Sequence, residues 1–277
     1  MMEFLQFEFM RNALAAGLLA GVICGIMGSL VVVNRIVFLS GGIAHTAYGG
    51  IGMAFYFGWP YLAGALGFSF GAAMVMAGVS IGAKHRADTI IGVIWAVGMA
   101  VGVIFIDLTP GYNTDLMSYL FGGILAVPKS DIGVMLAVAL IITALVTIYY
   151  HDLLALSYDE EFARIRGVPT RAFYFVMVGI LAVTVVLVIR VTGLILVIAL
   201  LTIPPYIMEK RVKSLAGMMI GSSILGAVFI VAGLWLSWSF NFTSGASIIM
   251  VGGMTFFLSL MVERAVLFIQ KRKGIRR

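Results

Sequence analysis

The stretch Tyr174–Ile189, YFVMVGILAVTVVLVI, decides the fold. It holds no charged residue, and Arg171 and Arg190 stand just outside it. A helix needs about 20 mostly apolar residues to cross ~30 Å of hydrocarbon. With Ala172 and Phe173 in front, this run reaches that length. The bilayer offers no water to backbone N–H and C=O groups, so an unbroken run of this kind predicts a helix. A barrel strand would be shorter and would alternate in polarity.

Similar runs recur from end to end. They lie at Phe9–Val33, Ser40–Phe57, Tyr61–Gly82, Thr89–Leu108, Ile132–Tyr150, Ala172–Ile189, Thr192–Met208, Ser214–Trp238 and Ala246–Leu267. The stretch DLMSYLFGGILAVPKSD, from Asp115 to Asp131, reads as a surface helix, a re-entrant piece or a short span. Eight to ten transmembrane helices are therefore expected in an all-α polytopic membrane protein. Composition agrees. The 277 residues are 62% hydrophobic and 11% charged, with a mean hydropathy of +1.12. About 25% charge is usual for a soluble domain.

The net charge of +6 is not spread evenly. Basic residues cluster between apolar runs, at Lys84–Arg86, at Glu209–Lys213 and in the C-terminal KRKGIRR. The positive-inside rule places such loops in the cytoplasm. It carries the linker 151–171 and the Asn34-Arg35 turn with them and leaves the N-terminus, with Glu3 and Glu8, outside. No nucleic-acid partner is expected, because the basic tail is short and lacks interleaved aromatics. The single cysteine, Cys24, reads as a small buried hydrophobe. The apolar run that starts at Phe9 continues to Val33, so it reads as an uncleaved first span rather than a signal peptide. Small residues recur every fourth position at Gly17, Gly21 and Gly25, at Gly67 and Gly71, at Gly78 and Gly82, and at Gly98 and Gly102. Such faces let helices approach closely.

Few residues in the apolar runs carry chemistry. His45, in LSGGIAHTAYGGIG, is titratable and lies within a span. Residues of that kind face a bundle interior or a pathway, and imidazole is a good ligand for Zn, Fe or Mn-type ions. A hydrogen-bonded core histidine is the alternative. Its helical neighbours at i−4 and i+4 are Gly41 and Gly49, so no local cluster completes a site. His85 and His151 read as loop or interface residues. Asp107 and Asp115 could attract a cation or cap a helix end. Arg190 and Glu209 bound one hydrophobic unit, and Arg190 has the reach to snorkel outward. Pro204 and Pro205 interrupt helical hydrogen bonding and mark either a helix end or a broken helix along a path. The sequence contains no G-x-x-x-x-G-K-[ST], no H-E-x-x-H and no serine elbow, so it is not read as an enzyme and has no ATPase site of its own.

One segment breaks the apolar pattern. SYDEEFARIRGVPTR, Ser157 to Arg171, groups carboxylates before a helix-compatible stretch that Gly167 and Pro169 end. Acidic residues at its start and arginines at its end suit a helix dipole. Phe162 and Ile165, three apart, share a face. A short amphipathic helix in a cytoplasmic loop is predicted, lying on lipid or docking another subunit.

Three stretches in this order, FLSGGIAHTAYGGIG (38–52), SYDEEFARIRGVP (157–169) and VTGLILVIALLTIPP (191–205), resemble the permease subunit of the zinc, manganese and iron ABC transporters. NFTSGASIIMVGG (241–253) adds to the likeness, which covers nearly the whole chain. The resemblance implies a vitamin B12-type importer fold, with 1–277 as one transmembrane permease domain and 158–169 as a cytoplasmic coupling helix. It implies a homodimer in the inner or plasma membrane of a prokaryote, with two cytosolic ATPase subunits that use ATP and Mg, and an extracytoplasmic metal-binding protein. The chain itself would bind no cofactor, and a divalent metal would be its substrate. Asp159, Glu160, Glu161, Ala163 and Gly167 fall in the coupling region. His45 matches the family's membrane-embedded metal region, but Gly41 stands where an aspartate is common. Asp107 is a candidate replacement ligand. Gly41, Pro204 and Pro205 are candidate pathway or gating positions. A chelate or small organic substrate, an ATP-independent secondary transporter and a membrane scaffold are the rival readings.

Overall fold

The computed structural model describes residues 6–82, 86–110 and 122–272. Lys84, His85, Asp115 and the end of the basic tail lie outside the described residues. Every predicted span is a helix: α1 (Glu8–Val33), α2 (Val37–Phe57), α3 (Tyr61–Gly82), α4 (Ala87–Asp107), α5 (Lys129–Ile148), α8 (Thr170–Thr192), α9 (Leu194–Glu209), α10 (Leu215–Phe240) and α11 (Ser244–Arg272). Two short helices, α6 (Tyr150–Tyr158) and α7 (Glu160–Ile165), fill the central linker, and a 3-10 turn covers Ile124–Ala126. Seven of the described helices are long and apolar enough to cross a membrane. The 16-residue α9 is apolar but shorter. The 21-residue α2 has the length, but glycine and polar residues dilute its hydropathy. Its neighbours α3, α4, α8 and α9 cover it instead.

Side-chain contacts sort the helix ends into two groups. At one end, Asn34 Nδ2 donates to Ser157 Oγ at 2.9 Å, Tyr150 Oη accepts from the Ala216 amide at 3.1 Å, and Lys210 Nζ pairs with Glu263 at 2.6 Å. A cavity there is lined by Asn34, Arg35, Ser80, Asp88, Glu160 and Arg171. At the other end, Lys129 pairs with Glu8 at 2.6 Å, Phe7 meets Trp238 at 5.3 Å, and Asn12 donates to the Val127 carbonyl. Phe57 and Phe105 meet there as well, 5.7 Å apart. Helix α4 therefore ends, and α5 begins, at the same end. The first part of the Asp115–Asp131 stretch lies outside the described residues, and the rest holds the 3-10 turn and the start of α5.

Glycine sets the helix spacing at a few places. A Cβ on Gly25 would lie 2.5 Å from the amide nitrogen and 2.6 Å from the Cα of Ser223, so α1 and α10 touch backbone to backbone. Gly52 meets Gly102 in the same way between the parallel α2 and α4. Gly67 and Gly71, identical in spacing, face open space.

Arg190 is exposed at the end of α8 and is paired there. Its Nε pairs with Asp131 Oδ2 at 3.0 Å, and its guanidinium lies 5.4 Å over the Tyr61 ring. This ties α8 to α5 and α3 beside the one-residue break at Gly193, whose φ of 81° and ψ of 163° suit glycine alone. Asp131 is only 8% exposed. Arg190→Ala would strand its carboxylate, and a loss of about 2 kcal/mol is expected once the partial exposure of the arginine is allowed for. Thermal unfolding in detergent measures it. Adding Asp131→Ala should return most of the loss.

Candidate metal path and coupling helix

His45 sits midway along α2, with Gly41 one turn before it and Gly49 one turn after. Its ring stacks on Trp95 of α4, with centroids 4.0 Å apart and planes 16° from parallel. The Nδ1 atom is buried and has no hydrogen-bond partner within the chain. Trp95 is held by its own Nε1–H, which donates to Met99 Sδ at 3.2 Å, and by Phe38 at 5.9 Å. A Cβ built on Gly41 meets no atom within 4 Å. Position 41 is thus open, on the face of α2 that carries His45.

Asp107 is not part of this group. It lies exposed at the end of α4, twelve residues beyond Trp95. At 1.5 Å per residue, that is about 18 Å of rise. Among the described residues no three His, Cys, Asp or Glu side chains gather as a metal cluster. Pro204 and Pro205 are both buried inside α9, and the helix runs on to Glu209 rather than ending or breaking there. The carbonyl of Leu201, which has lost its donor to Pro205, sits against Gly28 of α1, where a Cβ would also come within 2.9 Å of the Pro205 ring.

The predicted short helix is present as α7. Asp159 caps it by accepting from the Phe162 amide at 2.9 Å, and Glu160 pairs with Arg164 at 3.1 Å. Gly167, at φ +83°, closes it. Its amide bonds the Arg164 carbonyl, and the Val168 amide reaches back to Ala163, a complete Schellman motif. Phe162 and Ile165 project outward, 50% and 85% exposed. Ala163 is fully buried, so it seats the helix and cannot itself touch a docked protein. Glu161 lies in the first turn and is exposed.

Residues 6–263 match the family model of the ABC 3 transport family. The chain belongs to the ABC 3 transport family. This ABC 3 chain is 46% identical over 264 residues to the uncharacterised membrane protein slr2045 of Synechocystis, covering 95% of this chain and 94% of that one. It is 29% identical over 273 residues to the manganese transport system membrane protein MntC of Listeria monocytogenes, covering 98% and 97%. The solved structure of PsaBC from Streptococcus pneumoniae in complex with Fab superposes with a TM-score of 0.83 at 29% identity, covering 93% of this chain and 94% of that chain. The ABC 3 chain is thus a metal-type ABC transporter membrane subunit, multi-pass in a prokaryotic plasma membrane, with the permease fold that its sequence implied.

Two features of this ABC 3 permease escaped sequence reading. Trp95 becomes a neighbour of His45 only because α3 returns the chain and lets α4 run parallel to α2. Asp131 and Arg190 are 59 residues apart in sequence, and nothing local couples them.

Proposed function

We propose that this chain is the permease of an ATP-driven importer of divalent metal ions, of the zinc, manganese or iron class. The observation that carries this reading is His45, an imidazole inside the bundle whose Nδ1 no hydrogen bond holds, beside the open position at Gly41. A transported cation needs ligands that release it, and one imidazole with little else is a weak, transient site. The ion is substrate here, not a resident cofactor. Asp107 would then act outside the path, as an exposed carboxylate near its mouth.

The positive-inside rule assigns the end carrying Arg35, Arg86, Arg164, Arg171, Lys210 and Arg211 to the cytoplasm. On this reading 1–277 is one transmembrane domain, and 158–169 is its coupling helix. Two cytosolic ATPase subunits, using ATP and Mg, dock on the exposed Phe162, Ile165 and Glu161 and on the half-buried Glu160. A second copy of the permease completes the path, and an extracytoplasmic metal-binding protein delivers the ion. Gly41, Pro204 and Pro205 line or bend the route. The decisive test is uptake of Zn²⁺, Mn²⁺ and Fe²⁺ by the complex reconstituted in vesicles, with and without ATP. Uptake of a chelate but of no free ion, or uptake that ignores ATP, overturns the proposal.

Gly167 offers a separate check. A Cβ there meets no atom within 4 Å, so a side chain is opposed by backbone conformation alone. Gly167→Val places a β-branched residue at positive φ, at a cost of about 1–2 kcal/mol. The helix cap should loosen, and coupling of ATP hydrolysis to uptake should fall severalfold while the permease stays assembled. Loss of the permease from the membrane would make the glycine purely structural.

A further inference from the structure

We infer that Trp95 positions His45 and supplies, through its ring face, the charge compensation that the bare Gly41 withholds from a bound cation. This rests on the reading of His45 as part of the metal's path. Metal-binding histidines usually fix their ring by donating the second nitrogen to a carboxylate or carbonyl. His45 Nδ1 has no such partner. The ring is held instead by a flat stack on the indole, at 4.0 Å and 16°. The indole is itself held in place by Met99 and Phe38.

The geometry of that stack is informative. Two electron-rich rings face to face oppose their negative faces, and aromatic pairs ordinarily prefer offset or edge-on arrangements. An imidazole that donates a lone pair to a divalent cation becomes electron-poor and carries part of the positive charge. Indole is the aromatic side chain whose face attracts a cation most strongly. The stack therefore gains on metal binding, with no carboxylate at position 41 to share the charge. A site made of one nitrogen donor and a π face also lacks hard oxygen. By the usual order of divalent affinities, it favours Zn²⁺ over Mn²⁺.

The test uses the reconstituted complex and measures initial uptake of Zn²⁺ and Mn²⁺ against concentration. Trp95→Leu, which keeps an apolar side chain but removes the π face, should raise KM for Zn²⁺ about tenfold with little change in maximal rate. Trp95→Phe should fall between the two. Gly41→Asp, placed in open space, should rescue Trp95→Leu to within about threefold of the parent and shift preference toward Mn²⁺. The inference is overturned if leucine and phenylalanine are equally harmful, if KM does not move, or if Gly41→Asp gives no rescue. Should Trp95→Leu fail to assemble, Trp95→Phe alone decides, by an intermediate KM or an unchanged one. Unaltered uptake by His45→Ala would instead sink the underlying assignment of His45 to the path.

Discussion

His45→Ala is expected to lower metal uptake by about a hundredfold or more, while the protein folds, dimerises and reaches the membrane as before. Changes one shell away from a metal commonly cost 10–100-fold in affinity or activity, and on the function proposed above this change removes a ligand itself. Folding should be spared. His45 makes no hydrogen bond through Nδ1, and alanine in its place relieves a buried, unpaired nitrogen. The main loss is the stack on Trp95. Uptake assays paired with size-exclusion profiles separate the two effects. His45→Gln, polar but a poor metal ligand, should resemble alanine. Full activity in the glutamine variant would assign the histidine a hydrogen-bonding role instead.

Gly25→Leu is expected to do the opposite and remove the folded protein. The side chain would begin 2.5 Å from the Ser223 amide nitrogen, and backbone cannot yield as a rotamer can. Overpacking costs about 1–3 kcal/mol where side chains can shift, and more where they cannot. Helices α1 and α10 would have to part along a contact that also involves Gly17 and Gly21. Yield after detergent extraction and the unfolding temperature both report it. Gly71→Leu is the control, because its Cβ meets nothing within 4 Å. Comparable loss in both variants would show that leucine is simply not tolerated in these helices.

That contrast shows what the sequence could tell. The four-residue glycine spacing is the same in α1 and α3, yet it marks a helix contact in one and an open face in the other. Periodicity states which residues share a face; only the bundle states what the face meets. All nine long helices were placed from the sequence, seven of them by the length and apolarity that a bilayer imposes on each segment separately. The cap and turn of α7 were legible because Asp159 and Gly167 act within one or two helical turns. His45 stood out as a titratable group in an apolar run. Its partner Trp95 did not, since tryptophan in a span is unremarkable until the order of helices in space is known. The paired prolines suggested a broken or finished helix, by a rule learned from isolated chains. In α9 the helix continues through both prolines to Glu209.

The same prolines have a mechanical consequence. A helix resists bending because bending stretches hydrogen bonds on its convex side. Around Leu200 and Leu201 two of those bonds were never formed, since Pro204 and Pro205 carry no N–H. Bending α9 at this level would therefore sacrifice fewer hydrogen bonds than elsewhere along it. Gly28, with no side chain, lets α1 come close to this level, where a Cβ would lie 2.9 Å from the Pro205 ring. The level with the fewest internal bonds in α9 is thus also one that is buried within the bundle.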